Sequence, residues 1–257
     1  MRIRVLGCSG GELPRHRTTC FLVDDGLAID AGALTASLSL KELARVDDIV
    51  LTHSHFDHVK DVPLLADLLV GRRPDPFRVH ASTACARTLR ESIFNGELWP
   101  DFTRIPDRQR PVIEIVSFPA QGRFRLGRQG RYRVQTVPVN HPVESVGVLV
   151  SDGRTTIGVS GDTGPTEGFW RAVNASRRVA ALLVELSFPS SLQWLADASG
   201  HLTPSTLRGE LEKLERNGVP VLLYHYKPAH LAELKRELAG LRLANVRVLR
   251  QGEELTF

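Results

Sequence analysis

The chain has 257 residues, 42% of them hydrophobic and 24% charged, and its formal net charge at pH 7 is +4. This length can bury a substantial core and lies near the upper end of what one domain holds, so we predict a single domain over residues 1–257. The small positive charge, without any long block of basic residues, gives only weak support for nucleic-acid binding and fits a small anionic substrate equally well.

The cysteine content and the lack of long apolar stretches bear on the cellular compartment. Cys8, Cys20 and Cys85 form no C-x-x-C pair and are too few for a disulfide framework. No stretch approaches the roughly 20 apolar residues of a membrane-spanning helix, and no signal segment is recognisable near Met1. We therefore expect a reduced, cytoplasmic protein without a membrane partner.

Five apolar segments rich in Val, Ile and Leu each end on a polar residue suited to a functional site. Short runs of this kind predict buried β-strands. In layered α/β proteins, side chains that follow strand ends converge at one edge of the sheet, where sites are built. In chain order, the segments and the residues that follow them are 48–52 with His53, 137–140 with His141, 156–161 with Asp162, 181–184 with Glu185 and 221–224 with His225.

Helical patterns lie between these strands. Residues 61–69 place leucines on one face, with Pro63 in the first turn, where proline is tolerated. A second helix is predicted to begin at Thr203 and to end before Asn217, and a third to cover residues 231–241. Two strand-rich halves interleaved with helices predict an α/β fold with four layers, an αββα sandwich of two packed sheets covered by helices.

The segment 52–58, with the sequence THSHFDH, is the most informative part of the chain. On a helix, residues two apart point about 200° away from each other, so His53 and His55 share a metal only where the chain is extended. Imidazole and carboxylate groups suit Zn, Fe or Mn. Without a metal, this cluster would leave polar groups unpaired, so we predict metal binding. The lone His80 is interpreted as a structural, hydrogen-bonded residue.

The strand endings bring the number of candidate ligands to seven, enough for two metals that share one bridging carboxylate. We expect three histidines on the first ion, two histidines and an aspartate on the second, and one aspartate between the ions. In that order the candidates are His53, His55 and His141; Asp57, His58 and His225; and Asp162.

These residues carry a resemblance to a known group. The run 53–58 matches the H-x-H-x-D-H motif of the metallo-β-lactamase superfamily, and 160–164 (SGDTG) resembles the segment that carries its bridging aspartate. Asp30 resembles the superfamily's early aspartate, which supports the ligand loop. Because the motifs occur in the expected order over nearly the whole chain, the resemblance implies the metallo-β-lactamase fold and its dinuclear site.

Motifs outside the seven-ligand set resemble those of class II cyclic-nucleotide phosphodiesterases, although Phe56 stands where that family usually has leucine. The motifs are LGCSGG at 6–11, FNGELWPD at 94–101, ELSFP at 185–189, GHLTP at 200–204 and HYKP at 225–228. The resemblance implies hydrolysis of a 3′,5′-cyclic nucleotide (cAMP or cGMP) to the 5′-monophosphate through a metal-bridging hydroxide. It also implies two divalent ions, with Zn²⁺ expected and Mn²⁺ or Fe²⁺ as alternatives, a small anionic phosphodiester as substrate, and a homodimer by analogy.

Asp57, His201 and Glu185 are the candidate catalytic residues under this interpretation. Protonation of the leaving alkoxide by His201 would contribute about 10²–10⁴-fold, and Glu185 would orient that imidazole and raise its pKa. The alternative is that His201 caps the following helix while Glu185 pairs with a surface arginine. Trp99 or Phe102 could stack on a nucleobase or simply pack their loop onto the body of the protein.

Several other functions use the same ligands. A tRNA 3′-processing endonuclease usually carries a Gly/Pro-rich arm, which this sequence lacks, and a thioesterase of the glyoxalase II type would leave residues 200–204 without a role. The commonest zinc β-lactamases have a cysteine ligand at the second metal, whereas all three cysteines here lie outside the motifs. A non-catalytic metal-binding sensor would be expected to lose ligands, and all seven positions are filled.

Overall fold

A computed structural model describes all residues from Met1 to Phe257. Its strands form two seven-stranded sheets, which we call the first and second sheet. The strands are β1 (Arg2–Gly7), β2 (Cys20–Val23), β3 (Leu27–Ile29), β4 (Asp48–Val50), β5 (Phe77–Ser82), β6 (Ile113–Phe118), β7 (Gly122–Leu126), β8 (Tyr132–Val139), β9 (Ser145–Ser151), β10 (Thr156–Val159), β11 (Val179–Glu185), β12 (Val221–Tyr224), β13 (Val246–Val248) and β14 (Glu254–Thr256).

Both sheets are mixed. The first has the order β14-β1-β2-β3-β4-β5-β6 and the second the order β13-β12-β11-β10-β9-β8-β7. In the first sheet, β3 to β6 are parallel and the remaining pairs are antiparallel. In the second, β10 to β13 are parallel and β7 to β10 are antiparallel.

Nine α-helices connect and cover these strands, together with a π-helical turn (Leu89–Ile93) and three 3₁₀ turns (Arg128–Gly130, Ser190–Leu192 and Pro228–His230). None of the helices combines the length and apolar character needed to cross a bilayer. The helices are α1 (Leu34–Ser37), α2 (Leu40–Leu43), α3 (Phe56–Val59), α4 (Asp61–Leu69), α5 (Thr83–Thr88), α6 (Gly168–Ala175), α7 (Gln193–Ser199), α8 (Pro204–Glu212) and α9 (Leu231–Leu241).

Alternation along the strands creates two hydrophobic cores. In β2, Phe21 and Val23 pack in a core that contains side chains of both sheets, whereas Leu22 packs in a second core with Leu34 of α1 and Leu65 of α4. This is the two-residue period of a strand buried on both faces. The helices α6, α8 and α9 cover the second sheet by adding apolar side chains to the shared core. The predicted αββα sandwich is therefore confirmed.

Two of the predicted helices, α4 and α9, have the predicted bounds, but the helix after Thr203 ends earlier than expected. Thr203 and Thr206 form a reciprocal capping box at its start, and the helix stops at Glu212 rather than just before Asn217. Hydrogen bonds divert the chain toward α6 at this point, because Glu215 N donates to Asn174 Oδ1 at 3.1 Å. The predicted loop at 91–111 overlaps the π-helical turn at its start and is otherwise irregular.

Strand direction positions the site. Because β8 and β10 each run antiparallel to β9, they run parallel to each other, and β10 to β12 are parallel as well. The carboxyl ends of β8, β10, β11 and β12 therefore lie at one edge of the second sheet. The residues that follow these ends, which include His141, Asp162 and His225, are brought together there as the sequence predicted.

Candidate metal centre

The seven predicted ligands lie in two adjacent groups. In the first, the ring nitrogens His55 Nδ1 and His141 Nε2 are 3.1 Å apart, and the donor atoms of the group lie within 4.8 Å of one another. In the second, His225 Nε2 lies 3.2 Å from Asp57 Oδ2 and 3.3 Å from His58 Nε2. The two groups are His53, His55 and His141, and Asp57, His58 and His225.

Asp162 lies between the two groups. Its Oδ2 atom is 3.7 Å from His53 Nε2, 3.3 Å from His58 Nε2 and 3.0 Å from His225 Nε2. One carboxylate thus reaches histidines of both groups, which is the position expected of a bridging ligand. The structure brings together every predicted ligand, and their role in metal binding stays a prediction.

The segment after β4 changes conformation within the motif. His55 has extended backbone angles (φ −64°, ψ 147°), as required for His53 and His55 to act together, and α3 begins at the next residue. The sequence pattern predicts an extended turn here rather than a helical one. It places Asp57 and His58 in the second group and leaves Phe56 68% exposed, with no part in the cluster.

Two buried atoms show whether metal fits this site. His53 Nε2 and Asp162 Oδ1 are shielded from solvent and have no hydrogen-bond partner. An unpaired buried polar atom costs about 1–3 kcal/mol, so such atoms are rare without an ion or water. Imidazole nitrogen and carboxylate oxygen are ligands for divalent transition metals, and the side chains present therefore fit such an ion.

Hydrogen bonds to the other ring nitrogen orient four of the histidines. Each of these bonds engages Nδ1 and leaves Nε2 facing the cluster, the arrangement by which proteins select the tautomer of a metal-binding histidine. The four contacts are His53 Nδ1 with Thr52 Oγ1 (3.0 Å), His58 Nδ1 with Asp30 Oδ2 (2.7 Å), His141 Nδ1 with the Gly200 carbonyl (3.0 Å) and His225 Nδ1 with Ser187 Oγ (2.9 Å).

Asp30 supports the ligand loop in the way its resemblance implied. It is fully buried, adopts a left-handed conformation (φ 58°) and accepts the Thr52 N–H at 2.8 Å in addition to its contact with His58. On the opposite side, a Cβ atom at Gly10 would lie within 2.7 Å of His225 Nδ1, so only glycine lets the chain pass this histidine. This close approach explains one glycine of the motif at 6–11.

Burial and neighbouring charges lower the pKa of the two carboxylates and shift those of the histidines in different directions, since Asp162 and Asp30 outweigh burial and raise the pKa of His58. Burial, reinforced by the positive potential of His58, holds the pKa of His53 well below its ordinary value, which favours the neutral imidazole that binds metal. Burial raises the pKa of Asp162, but His225 and His58 outweigh it and hold that pKa well below the usual range. The same balance, with His225 as the main partner, lowers the pKa of Asp57.

Glu185 and His201 form a buried pair beside the cluster. His201 Nδ1 lies 2.8 Å from Glu185 Oε1, and His201 also falls within the donor-atom group of Asp162 and His225. Burial lowers the pKa of His201, yet the Glu185 carboxylate outweighs burial and the pKa ends above its ordinary value. The alternative roles for these residues are wrong, because Thr203 caps α8 and Glu185 is buried without an arginine partner.

Ser187 and Gly200 lie within the motifs at 185–189 and 200–204, but no role was predicted for either of them. Ser187 Oγ lies 3.1 Å from Glu185 Oε2, 3.1 Å from His201 Nδ1 and 2.9 Å from His225 Nδ1, so one hydroxyl joins the pair to the metal cluster. Strand periodicity could have indicated Ser187, since residues two apart at the end of β11 point the same way. No local signal points to the Gly200 carbonyl, whose partner His141 is distant in sequence.

The aromatic residues considered for base stacking pack into the protein instead. Phe102 is buried, and Trp99 packs against the core between the first sheet and its helices. The interpretation of this loop as packing is thus the one that the structure supports.

A family model identifies the family of this chain, and solved structures support its fold. The model of the Beta-lactamase superfamily domain matches residues 19–226. No curated protein matches the chain. Among solved structures, unliganded yeast PDE1 is similar over 100% of this chain and 99% of its own, with a TM-score of 0.80 and 20% identity.

Two further structures are similar over comparable lengths. The metallo-beta-lactamase fold protein YhfI from Bacillus subtilis has a TM-score of 0.77 and 16% identity, with 99% of each chain covered. The short form of human tRNase Z (ELAC1) has a TM-score of 0.69 and 16% identity, with 100% of this chain and 99% of that chain covered. At such identities, the likeness establishes the fold alone.

Proposed function

This chain belongs to the metallo-β-lactamase superfamily, and from that premise we propose that it is a dinuclear-metal phosphodiesterase acting on 3′,5′-cyclic nucleotides. The coarser statement, a metal-dependent hydrolase of this fold, follows from the family and from the His/Asp clusters. The finer one concerns the bond that is cleaved and the substrate that carries it.

One observation carries the proposal: a buried His–Glu pair lies directly beside the two ligand groups. The separation of 2.8 Å between His201 Nδ1 and Glu185 Oε1 makes a charge-assisted hydrogen bond, so His201 can hold a proton close to the ligands. A site that only stored metal would have no use for a buried acid of this kind. Hydrolysis of a phosphodiester is accelerated by one, because the leaving group departs as an alkoxide.

The ligand groups suit an anionic substrate. His53, His55 and His141 would hold one ion, Asp57, His58 and His225 a second, and Asp162 both. Two divalent ions at this position would polarise the phosphoryl oxygens and lower the pKa of a water molecule to near neutrality. With only Asp57 and Asp162 as anionic ligands, the centre keeps a positive charge that favours a phosphodiester over a neutral ester or lactam.

Glu185 and His201 would supply the proton for the leaving group. Glu185 accepts a hydrogen bond from the Nδ1–H of His201 and is itself held by the N–H groups of Thr163 (3.1 Å) and Leu202 (3.2 Å). The carboxylate therefore cannot rotate away, and His201 keeps Nε2 as the nitrogen that transfers a proton to the leaving oxygen. This arrangement follows the general logic of an imidazole oriented by a buried carboxylate.

Turnover of a panel of substrates by metal-loaded protein tests the proposal. Zn²⁺- or Mn²⁺-loaded protein is offered cyclic AMP, cyclic GMP, an aryl phosphodiester, precursor tRNA and a glutathione thioester. Release of 5′-monophosphate from a cyclic nucleotide is expected. If only precursor tRNA is cleaved, the substrate is an RNA 3′ end rather than a cyclic nucleotide. If the protein binds metal but turns over none of these compounds, the result favours the sensor function.

A further inference from the structure

A second concentration of functional groups lies away from the metal centre. A cavity of about 640 Å³ opens on the second sheet beside the end of α6, and no Asp or Glu lines it. Five exposed arginines do line it: Arg123 and Arg125 of β7, Arg133 of β8, and Arg177 and Arg178 after α6.

Ion pairing does not explain these arginines. None of the five lies within 4.0 Å of a carboxylate, whereas the neighbouring Arg128 and Arg131 pair with Asp47 and Asp24. Asp152, in the adjoining turn, uses Oδ1 to accept the N–H groups of Arg154 and Thr155. The positive charge of the cavity is therefore left uncompensated by the protein.

The pairing of β7 with β8 places two of these arginines next to each other. Arg125 of β7 lies directly opposite Arg133 of β8. Like charges directly opposite each other destabilise an antiparallel pair. The row continues through Ser151 and Thr156, which carry no negative charge. An anion seated between the two arginines would remove this repulsion.

The cavity is remote from the predicted metal ligands. Arg133, the second residue of β8, lies six residues before the end of the strand at Val139, which is about 20 Å at about 3.3 Å per residue, and His141 lies two residues farther on. One ligand of small size cannot occupy both sites. A ligand of this cavity would therefore be distinct from the substrate of the proposed phosphodiesterase activity.

We propose that this cavity binds a small compound with several phosphate groups, either a nucleoside polyphosphate or an inorganic polyphosphate. Guanidinium groups form bidentate hydrogen bonds with phosphate, and five of them exceed the charge of a single phosphate. The volume lies within the range of about 300–1,000 Å³ typical of small-molecule sites. A nucleic-acid surface would instead extend the positive charge along a track, and here the flanking Arg128 and Arg131 are neutralised by carboxylates.

Calorimetric titration tests the site directly. Metal-loaded protein is titrated with inorganic tripolyphosphate, ATP and orthophosphate in excess Mg²⁺, which keeps the ligands from stripping the metal centre. Wild-type protein should bind one tripolyphosphate, and the Arg125→Gln/Arg133→Gln double variant should bind it at least about tenfold more weakly. Equal affinity for ATP and tripolyphosphate identifies the phosphate chain as the ligand, and tighter ATP binding adds a contact with the nucleoside.

Two controls separate this site from other sources of binding. Arg208→Gln removes an exposed arginine of α8 outside the cavity and should bind tripolyphosphate as the wild type does. His53→Ala should also bind it normally. Loss of binding in His53→Ala with retention in the double variant would place the ligand at the metal centre and overturn the proposal. The proposal would also be overturned if the wild-type protein does not bind tripolyphosphate, including the case in which it binds a short single-stranded RNA instead.

Discussion

The two ends of β8 lead to regions that suit ligands of opposite charge. Beyond its carboxyl end, His141 joins a buried cluster whose unpaired atoms, such as Asp162 Oδ1, suit cations. Near its amino end, Arg133 faces Arg125 in a cavity without carboxylates. In the first region, hydrogen bonds within the protein orient four of the histidines, whereas the second region is exposed and none of its five arginines pairs with a carboxylate. The protein thus fixes the orientation of side chains at the predicted metal centre, whereas at the cavity it supplies positive charge that suits an anionic ligand.

The largest effect is expected from Asp162→Ala. Because Asp162 Oδ2 lies within 3.7 Å of histidines from both groups, its removal should abolish binding of at least one ion and reduce turnover to background. Metal content by mass spectrometry and turnover of cyclic AMP measure both consequences. Full metal content in an active Asp162→Ala protein would contradict the placement of this residue between the groups.

The His201→Ala variant separates proton transfer from metal binding. Turnover should fall by about 10²–10⁴-fold while the metal content stays at the wild-type level. Aryl phosphodiesters with good leaving groups should lose less activity than cyclic AMP, since their leaving oxygen needs less help from an acid. An equal loss for both substrates would show that His201 is not the acid for the leaving oxygen, and loss of metal would show that it acts as a ligand.

Ser187→Ala tests the link between the acid pair and the metal cluster. Its hydroxyl contacts Glu185, His201 and His225, so its loss should weaken metal affinity or turnover by about 10–100-fold. Ser191→Ala is a matched control, because Ser191 Oγ donates to Glu233 on the exposed surface. A competition titration with a metal chelator measures the affinity. The prediction fails where both serine variants behave as the wild type does.

A smaller effect concerns Asp48, a buried carboxylate at the opposite end of β4 from the metal motif. Burial raises its pKa, but His80 and Arg78, both hydrogen-bonded to it, lower the pKa from 3.8 to about 2. Since the folded pKa lies below the unfolded one, the carboxylate stabilises the fold above about pH 4 and loses that contribution as the pH falls to about 2. The size is about 2 kcal/mol.

Thermal unfolding between pH 5 and pH 2.5 measures this contribution. Asp48→Asn should be less stable than the wild type at pH 5, and the difference should shrink as the pH falls. Asp67→Asn, the same change at an exposed carboxylate of α4, serves as the control. A constant difference between Asp48→Asn and the wild type over this range would show that the charge of Asp48 does not stabilise the fold.

Local sequence patterns were sufficient to predict the bounds of two helices and of one strand that leads to a ligand, His225. The periodicity of α4 and α9 and the apolar run of β12 predicted the correct bounds, because each pattern reflects burial of one face or of a whole strand. Patterns failed where distant contacts decide. The early end of α8 depends on Asn174, and the short helix α3 interrupts a segment expected to be extended.

The sequence by itself determined the chemistry of the site: which side chains are imidazoles and carboxylates, and that strand ends would bring them to one edge. Only the tertiary structure decided which atoms face one another. His58 presents Nε2 because Asp30 engages Nδ1, and His225 does so because of Ser187, partners that lie far away in the chain. Hydrogen bonds of this kind require their atoms to be placed to within a few tenths of an ångström, and the spacing of residues in a sequence does not encode such positions.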